Sequence, residues 1–194
     1  MATIQIEVPD GKKAEWKNGV LTLVDEEKPK NVMERIKTLD DAMDELGEDN
    51  ILVKQYTNFM QNDGDGVRSD YGDIQAYLAL RIICAALNEG WEPQFTEDEY
   101  RYYPYFYLYT KEEYEQLSDE DKGLVWSIGR TPLASSGGGV SFSGASYDSS
   151  HTLAVIGSRL AFRTSELAEY AGKQFLDIWA DFVFKIGTPD DKKK

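Results

Sequence analysis

Few residues in this chain have the type or the spacing for covalent chemistry. His151 is the only histidine and Cys84 the only cysteine among 194 residues. His151 ends the Ser-rich stretch "SSGGGVSFSGASYDSSH", and neither a GxSxG turn nor an HExxH helix supplies it with a nucleophile or a metal. Cys84 lies in the apolar run "LRIICAAL", the setting of a buried thiol, and a single cysteine excludes an internal disulfide framework. The acidic runs "TEDEY" and "KEEYEQLSDED" hold enough carboxylates for an acid and base pair, but helix caps and solvated faces account for them more cheaply. Asp63, Asp65, Asp70 and Asp73, interleaved with glycines, have the composition of a calcium loop. The EF-hand register fails, because aligning Gly66 with the invariant glycine puts Gln61 first and Gly72 at the bidentate twelfth position. A solvated loop is the reading, with an irregular calcium site as its alternative. Gly137 to Gly139 lack the lysine and the strand-to-helix setting of a phosphate loop. The expectation is a non-enzymatic protein with no cofactor and no metal.

Contact chemistry remains. The stretch from Ser135 to His151 reads either as a flexible Gly/Ser linker or as a displayed binding surface. Val140, Phe142, Ala145 and Tyr147 interrupt it, and Tyr, Ser, Gly and Asp are residues that give adaptable contact at low entropic cost. Composition leaves both readings open. The candidate contact residues are Ser141, Phe142, Ser143, Ser146, Tyr147, Asp148 and His151.

The elements that must position them follow from pattern. Ile4, Ile6 and Val8, the turn "PDGKK", Ala14 to Trp16, Asn18-Gly19 and Val20 to Val24 predict an antiparallel β-meander, too small to be stable undocked. Val32, Ile36, Leu39, Met43 and Leu46 recur at helical spacing up to a stop at Gly47; "NILVKQYTNFM" and "DIQAYLALRIICAALNEG" predict two further helices. "FYLYT" predicts a strand, with odd and even tyrosines on opposite faces; Thr110 and Ser118 are N-caps of short helices. From Thr164 a closing helix shares Leu167, Ala171, Phe175, Ile178 and Phe182 on one face. The fold class is α+β: an N-terminal antiparallel β-meander over 1–28, then a domain over 29–186 with a helical layer, a C-terminal mixed sheet carrying the 130–156 loop region and a long closing helix, and a disordered tail over 187–194.

A net charge of -14, with "KKK" the only basic run, excludes nucleic acid as a partner. No targeting segment and no run of about 18 apolar residues is visible, which implies cytoplasmic synthesis and no membrane insertion.

The segments "IQIEVPDGKKAEWKNGVLTLVDE", "ALNEGWEPQFTEDEYRYYPYFYLYTKEE" and "GSRLAFRTSELAEYAGKQFLDIWADF" resemble a family of uncharacterised proteins from phages, prophages and mobile elements of anaerobic gut bacteria, over nearly the whole chain. The C-terminal order of "FYLYT", a strand before an arginine, a Ser/Tyr/Gly/Ala-rich loop and "GSRLAF" is similar to the C-type-lectin-like fold of the formylglycine-generating-enzyme type, which includes targets of diversity-generating retroelements. That resemblance implies a variable, ligand-facing set between Arg130 and Ile156, a closing strand at Gly157 to Leu160, and structural roles for Arg159, as a hydrogen-bonding residue, and Trp126. Ser158 and Leu160, "WSIGRTP" and the long final helix depart from the pattern. Together the two resemblances imply a phage-type binding or virion-associated protein. Its N-terminal part would dock on particle proteins, and its loop face would meet a surface glycan or protein. The alternatives are a purely structural virion protein, in which the loop makes subunit contacts, and an intracellular accessory protein that binds a host factor; a homo-oligomer is among the expected assemblies.

Overall fold

The computed structural model describes residues 7–9, 12–25, 29–62, 72–94, 96, 98–127, 139–148 and 158–183. Ile4 and Ile6, the aspartates at 63, 65 and 70, His151, most of the 130–156 region and the 187–194 tail lie outside the described residues. The chain is mixed α+β, with two small antiparallel sheets and eight α-helices among the described residues.

The N-terminal sheet is a hairpin. Strands β1 (Lys12–Lys17) and β2 (Val20–Asp25) pair from Lys12↔Asp25 to Lys17↔Val20. Asn18 and Gly19 join them with φ of 51° and 77°, the left-handed pair that a two-residue turn of matching twist requires.

Four helices follow: α1 (Val32–Arg35), α2 (Leu39–Leu46), α3 (Ile51–Asn62) and α4 (Gly72–Leu87). The spacing from Val32 to Leu46 predicts unbroken periodicity, but the chain leaves the helix at Ile36. Thr38 starts α2 with a capping box: its hydroxyl accepts from the Asp41 N–H, and the Asp41 carboxylate accepts from the N–H groups of Lys37 and Thr38 at 2.9 Å. The carbonyls freed by the break are taken from afar, Ile36 by the Tyr170 hydroxyl at 2.7 Å and Lys37 by the Gln174 amide at 2.8 Å. Gly47 ends α2 as expected, at φ 81°.

Strand β3 (Arg101–Tyr109) leads to the capped helices α5 (Lys111–Gln116) and α6 (Asp119–Leu124), then β4 (Trp126–Ser127) and β5 (Gly139–Asp148). The sheet order is β3-β5-β4 and both pairings are antiparallel, where a mixed sheet was expected. Pro104 is tolerated because β3 is an edge. Its missing N–H falls on the same side as Tyr102, whose backbone groups point away from β5 and pair with Phe162. The expected closing strand at Gly157 to Leu160 is instead a 3₁₀ turn over Ser158–Leu160.

The closing helix starts at its Thr164 cap but is two helices, α7 (Ser165–Gln174) and α8 (Leu176–Val183), jointed at Phe175, whose ψ is 34°. Both pack on the sheet and on α4. Trp179, fully buried, meets Phe106 at 5.5 Å between ring centroids. Asn88, just past α4, is buried and pins the turn after the 3₁₀ segment. Its amide donates to the Ala161 carbonyl at 2.8 Å, and its carbonyl accepts from the Arg163 N–H. Beside it, the Glu89 carboxylate accepts from both Arg35 and Arg163, so α1, α4 and the entry to α7 share one ion-pair cluster.

Two expectations follow. A Cβ on Gly172 would run into the Phe142 ring and stand 2.8 Å from the Pro104 Cβ, so Gly172→Ala lowers unfolding free energy by about 1–3 kcal/mol in urea titrations; a change under about 0.5 kcal/mol contradicts this close approach. The hydrogen bonds from Arg35 and Arg163 hold the Glu89 carboxyl below the usual carboxylate range, so its stabilisation is complete above its unfolded pKa of about 4.3 and is lost as pH falls through the lower folded value. Urea midpoints of Glu89→Gln therefore lie below wild type at pH 7 and converge with it in acid; a gap that persists below the folded pKa contradicts the assignment.

Candidate functional site

Alternation gives the three-stranded sheet two unlike faces. Tyr102, Pro104 and Phe106 of β3 share the helix side with Tyr147, Ala145 and Phe142 of β5, their partners in register. The opposite side carries Arg101, Tyr103, Tyr105, Tyr107 and Tyr109, paired with Asp148, Ser146, Gly144, Ser141 and Gly139 in turn. At one end this outer face is closed: Arg101 and Tyr103 are buried, and the Arg101 guanidinium donates to the Gln94 carbonyl at 3.1 Å. Further along it opens. Tyr105 is 56% exposed and Tyr107 47%, and the Tyr107 and Tyr109 rings lie 4.6 Å apart. Each of these three tyrosines faces a glycine or a serine across the ladder. The rings therefore stand as a wall beside a low shelf of backbone and hydroxyl groups.

The Ser-rich stretch supplies that shelf. Its described part is neither linker nor loop but the central strand of the sheet. A β-bulge sits where Tyr105↔Gly144 is followed by Phe106↔Phe142, leaving Ser143 without a partner in register and exposed.

Of the candidate contact residues, Ser141 and Ser146 belong to the outer face. Phe142 is turned the other way: its ring lies against Gly172 and Phe106, with the Lys173 ammonium 5.0 Å above its centroid. Tyr147 is 62% exposed but sits at the helix-side end, edge-on to Tyr100 at 5.1 Å and near Tyr102 at 5.9 Å. Asp148 ends β5 opposite Arg101. Trp126 opens β4, paired with Val140. Arg159 lies on the 3₁₀ turn with its side chain exposed, not in a sheet strand; the buried arginine of this sheet is Arg101.

Tyr105, Tyr107 and Tyr109 are absent from the candidate set. Their two-residue spacing marks them as a single face, and only the side on which α7 and α8 pack decides that this face is the outer one.

The described residues offer little for covalent chemistry. Cys84 is buried in α4, and burial pushes its thiol far up, which keeps it protonated and inert. No group of three metal-ligating side chains occurs among the described residues, and no helix among them is long and apolar enough to cross a membrane. No protein-family model, curated protein or solved structure matches the chain.

The two faces of β5 separate in a stability measurement. Phe142→Ala costs ~2 kcal/mol, below the cost of emptying a fully buried phenylalanine site, while Ser146→Ala stays within about 0.5 kcal/mol of wild type. Equal losses in thermal or urea unfolding would refute the assignment of faces.

Proposed function

We propose that this chain is a non-enzymatic binding protein of the phage or virion-associated type, which presents the outer face of its three-stranded sheet to a surface glycan or protein. The observation that carries the reading is the file of exposed Tyr105 and Tyr107 and half-buried Tyr109 beside the Ser/Gly strand β5. Tyrosine rings on a rigid sheet offer flat apolar area with a polar rim at small entropic cost, and the serines beside them supply adaptable hydrogen bonds. The contact surface thus moves from the Phe142 side of β5 to the opposite side, with Ser141 and Ser146 kept. The exposed hairpin favours a second reading, a structural particle protein whose N-terminal part makes subunit contacts.

Binding of labelled protein to whole bacterial cells and to immobilised cell-surface glycans and proteins tests the first reading. Tyr105→Ala with Tyr107→Ala is expected to weaken binding at least about tenfold, the factor of roughly 1.4 kcal/mol, with an unchanged melting curve. A double variant that binds like wild type refutes it, as does a wild-type protein that binds none of these surfaces.

A further inference from the structure

Strand β5 has a neighbour on both sides for only part of its length. Strand β4 pairs with Gly139 and Val140 alone, so from Ser141 to Asp148 no described residue pairs with the second edge of β5. Which groups lie bare there follows from β3. Tyr102 turns its N–H and C=O to Phe162, so Arg101, Tyr103 and Tyr105 turn theirs to β5 and engage Asp148, Ser146 and Gly144. Ala145 and Tyr147, between those partners, aim their backbone groups the other way, and no described residue takes them.

Natural sheets deter a further strand with lysines, other charges or prolines on such an edge. Ser141 to Tyr147 hold neither a charge nor a proline, in a chain of net charge -14. The bulge at Ser143 lies upstream and leaves Gly144 to Asp148 in regular register. Tyr147, at 62%, is the most exposed large hydrophobic of this sheet among the described residues, and Tyr102 meets its ring from the β3 side.

These features fit a second copy of the same edge. Two acidic bodies repel through their charged surfaces, and this uncharged stretch lets them meet with no like charges opposed. A two-fold axis through Ser146 sets Ala145 of each copy opposite Tyr147 of the other. All of these residues aim N–H and C=O across the junction, for about four backbone hydrogen bonds. On the helix side a ring then meets a methyl group, and on the outer face one Ser146 meets the other. An axis through Ala145 would set Tyr147 against the bulge, and one through Tyr147 would pair Ala145 beyond the end of β5.

We propose that the chain forms a two-fold dimer in which β5 pairs antiparallel with β5 of a second copy about Ser146, making one continuous sheet. The contact is isologous, so it closes at two copies. Its axis stands perpendicular to the sheet, which puts both tyrosine faces on the same side. The dimer does not depend on those faces having a ligand.

Sedimentation velocity of the full chain over a concentration series is expected to show monomer and dimer and nothing larger. Tyr147→Lys puts an ammonium group on each edge and should weaken dimerisation at least about tenfold, with the melting curve of dilute monomer unchanged. Disulfide trapping locates the axis. Ser146→Cys sets two thiols opposite each other in a pair whose Cα atoms lie about 4.5 Å apart, within disulfide reach, so diamide, which takes up both thiol hydrogens, should yield a covalent dimer. Cys84 is buried and does not compete. Ser143→Cys, equally exposed, would stand roughly 20 Å from its counterpart and should stay uncrosslinked. A monomer at every concentration, growth beyond a dimer, a dimer that Tyr147→Lys leaves intact, or equal trapping of the two cysteine variants each overturns the proposal.

Discussion

A helix that is apolar over most of its girth needs a cover on most of its sides. Eight of the sixteen residues of α4 are buried, from Ala76 to Leu87, and they are not confined to one stripe. Only the strip with exposed Ile74 and half-buried Arg81 is left open, and the remaining elements are arranged as cover for the rest. Helices α2 and α3 lie along it on one part, α8 and α7 on another, and the 3₁₀ turn closes over its end. The sheet does not touch this helix as a main partner; it packs on the far side of α7 and α8, where Trp179 and Phe106 meet. The outer face of the sheet is therefore the part of the layered body furthest from α4, and it can carry polar and aromatic side chains without cost to the central packing.

What was legible in the sequence is what neighbours in the chain decide. Asn18-Gly19 fixes the hairpin; Thr38, Thr110, Ser118 and Thr164 fix helix starts; and Gly47 fixes an end. Each depends on a side chain meeting a backbone group within about four residues. The break between α1 and α2 was not legible, because the groups that take up the freed carbonyls of Ile36 and Lys37 are Tyr170 and Gln174, 134 and 137 positions away.

The Ser-rich stretch misleads for a related reason. Glycine and serine favour strands weakly, so its composition argues for a linker. It is a strand because β3 and β4 flank it and because Val140, Phe142 and Ala145 have somewhere to go beneath it. The tyrosine alternation in β3 was visible from the start. Which set faces out depends on where α7 lies, and α7 lies where Gly172 lets it approach.

The bulge at Ser143 sets how this surface can change. On a free loop every position could vary, but on a central strand only alternate ones can. Val140 and Phe142 before the bulge and Ala145 after it are committed to the helix side, and the bulge is the place where the count slips by one. A lineage that diversifies its contacts here would leave a two-residue rhythm of change and constancy, interrupted once. Length changes would be confined to the neighbourhood of Ser143, because elsewhere a single inserted residue would exchange the two faces of the strand.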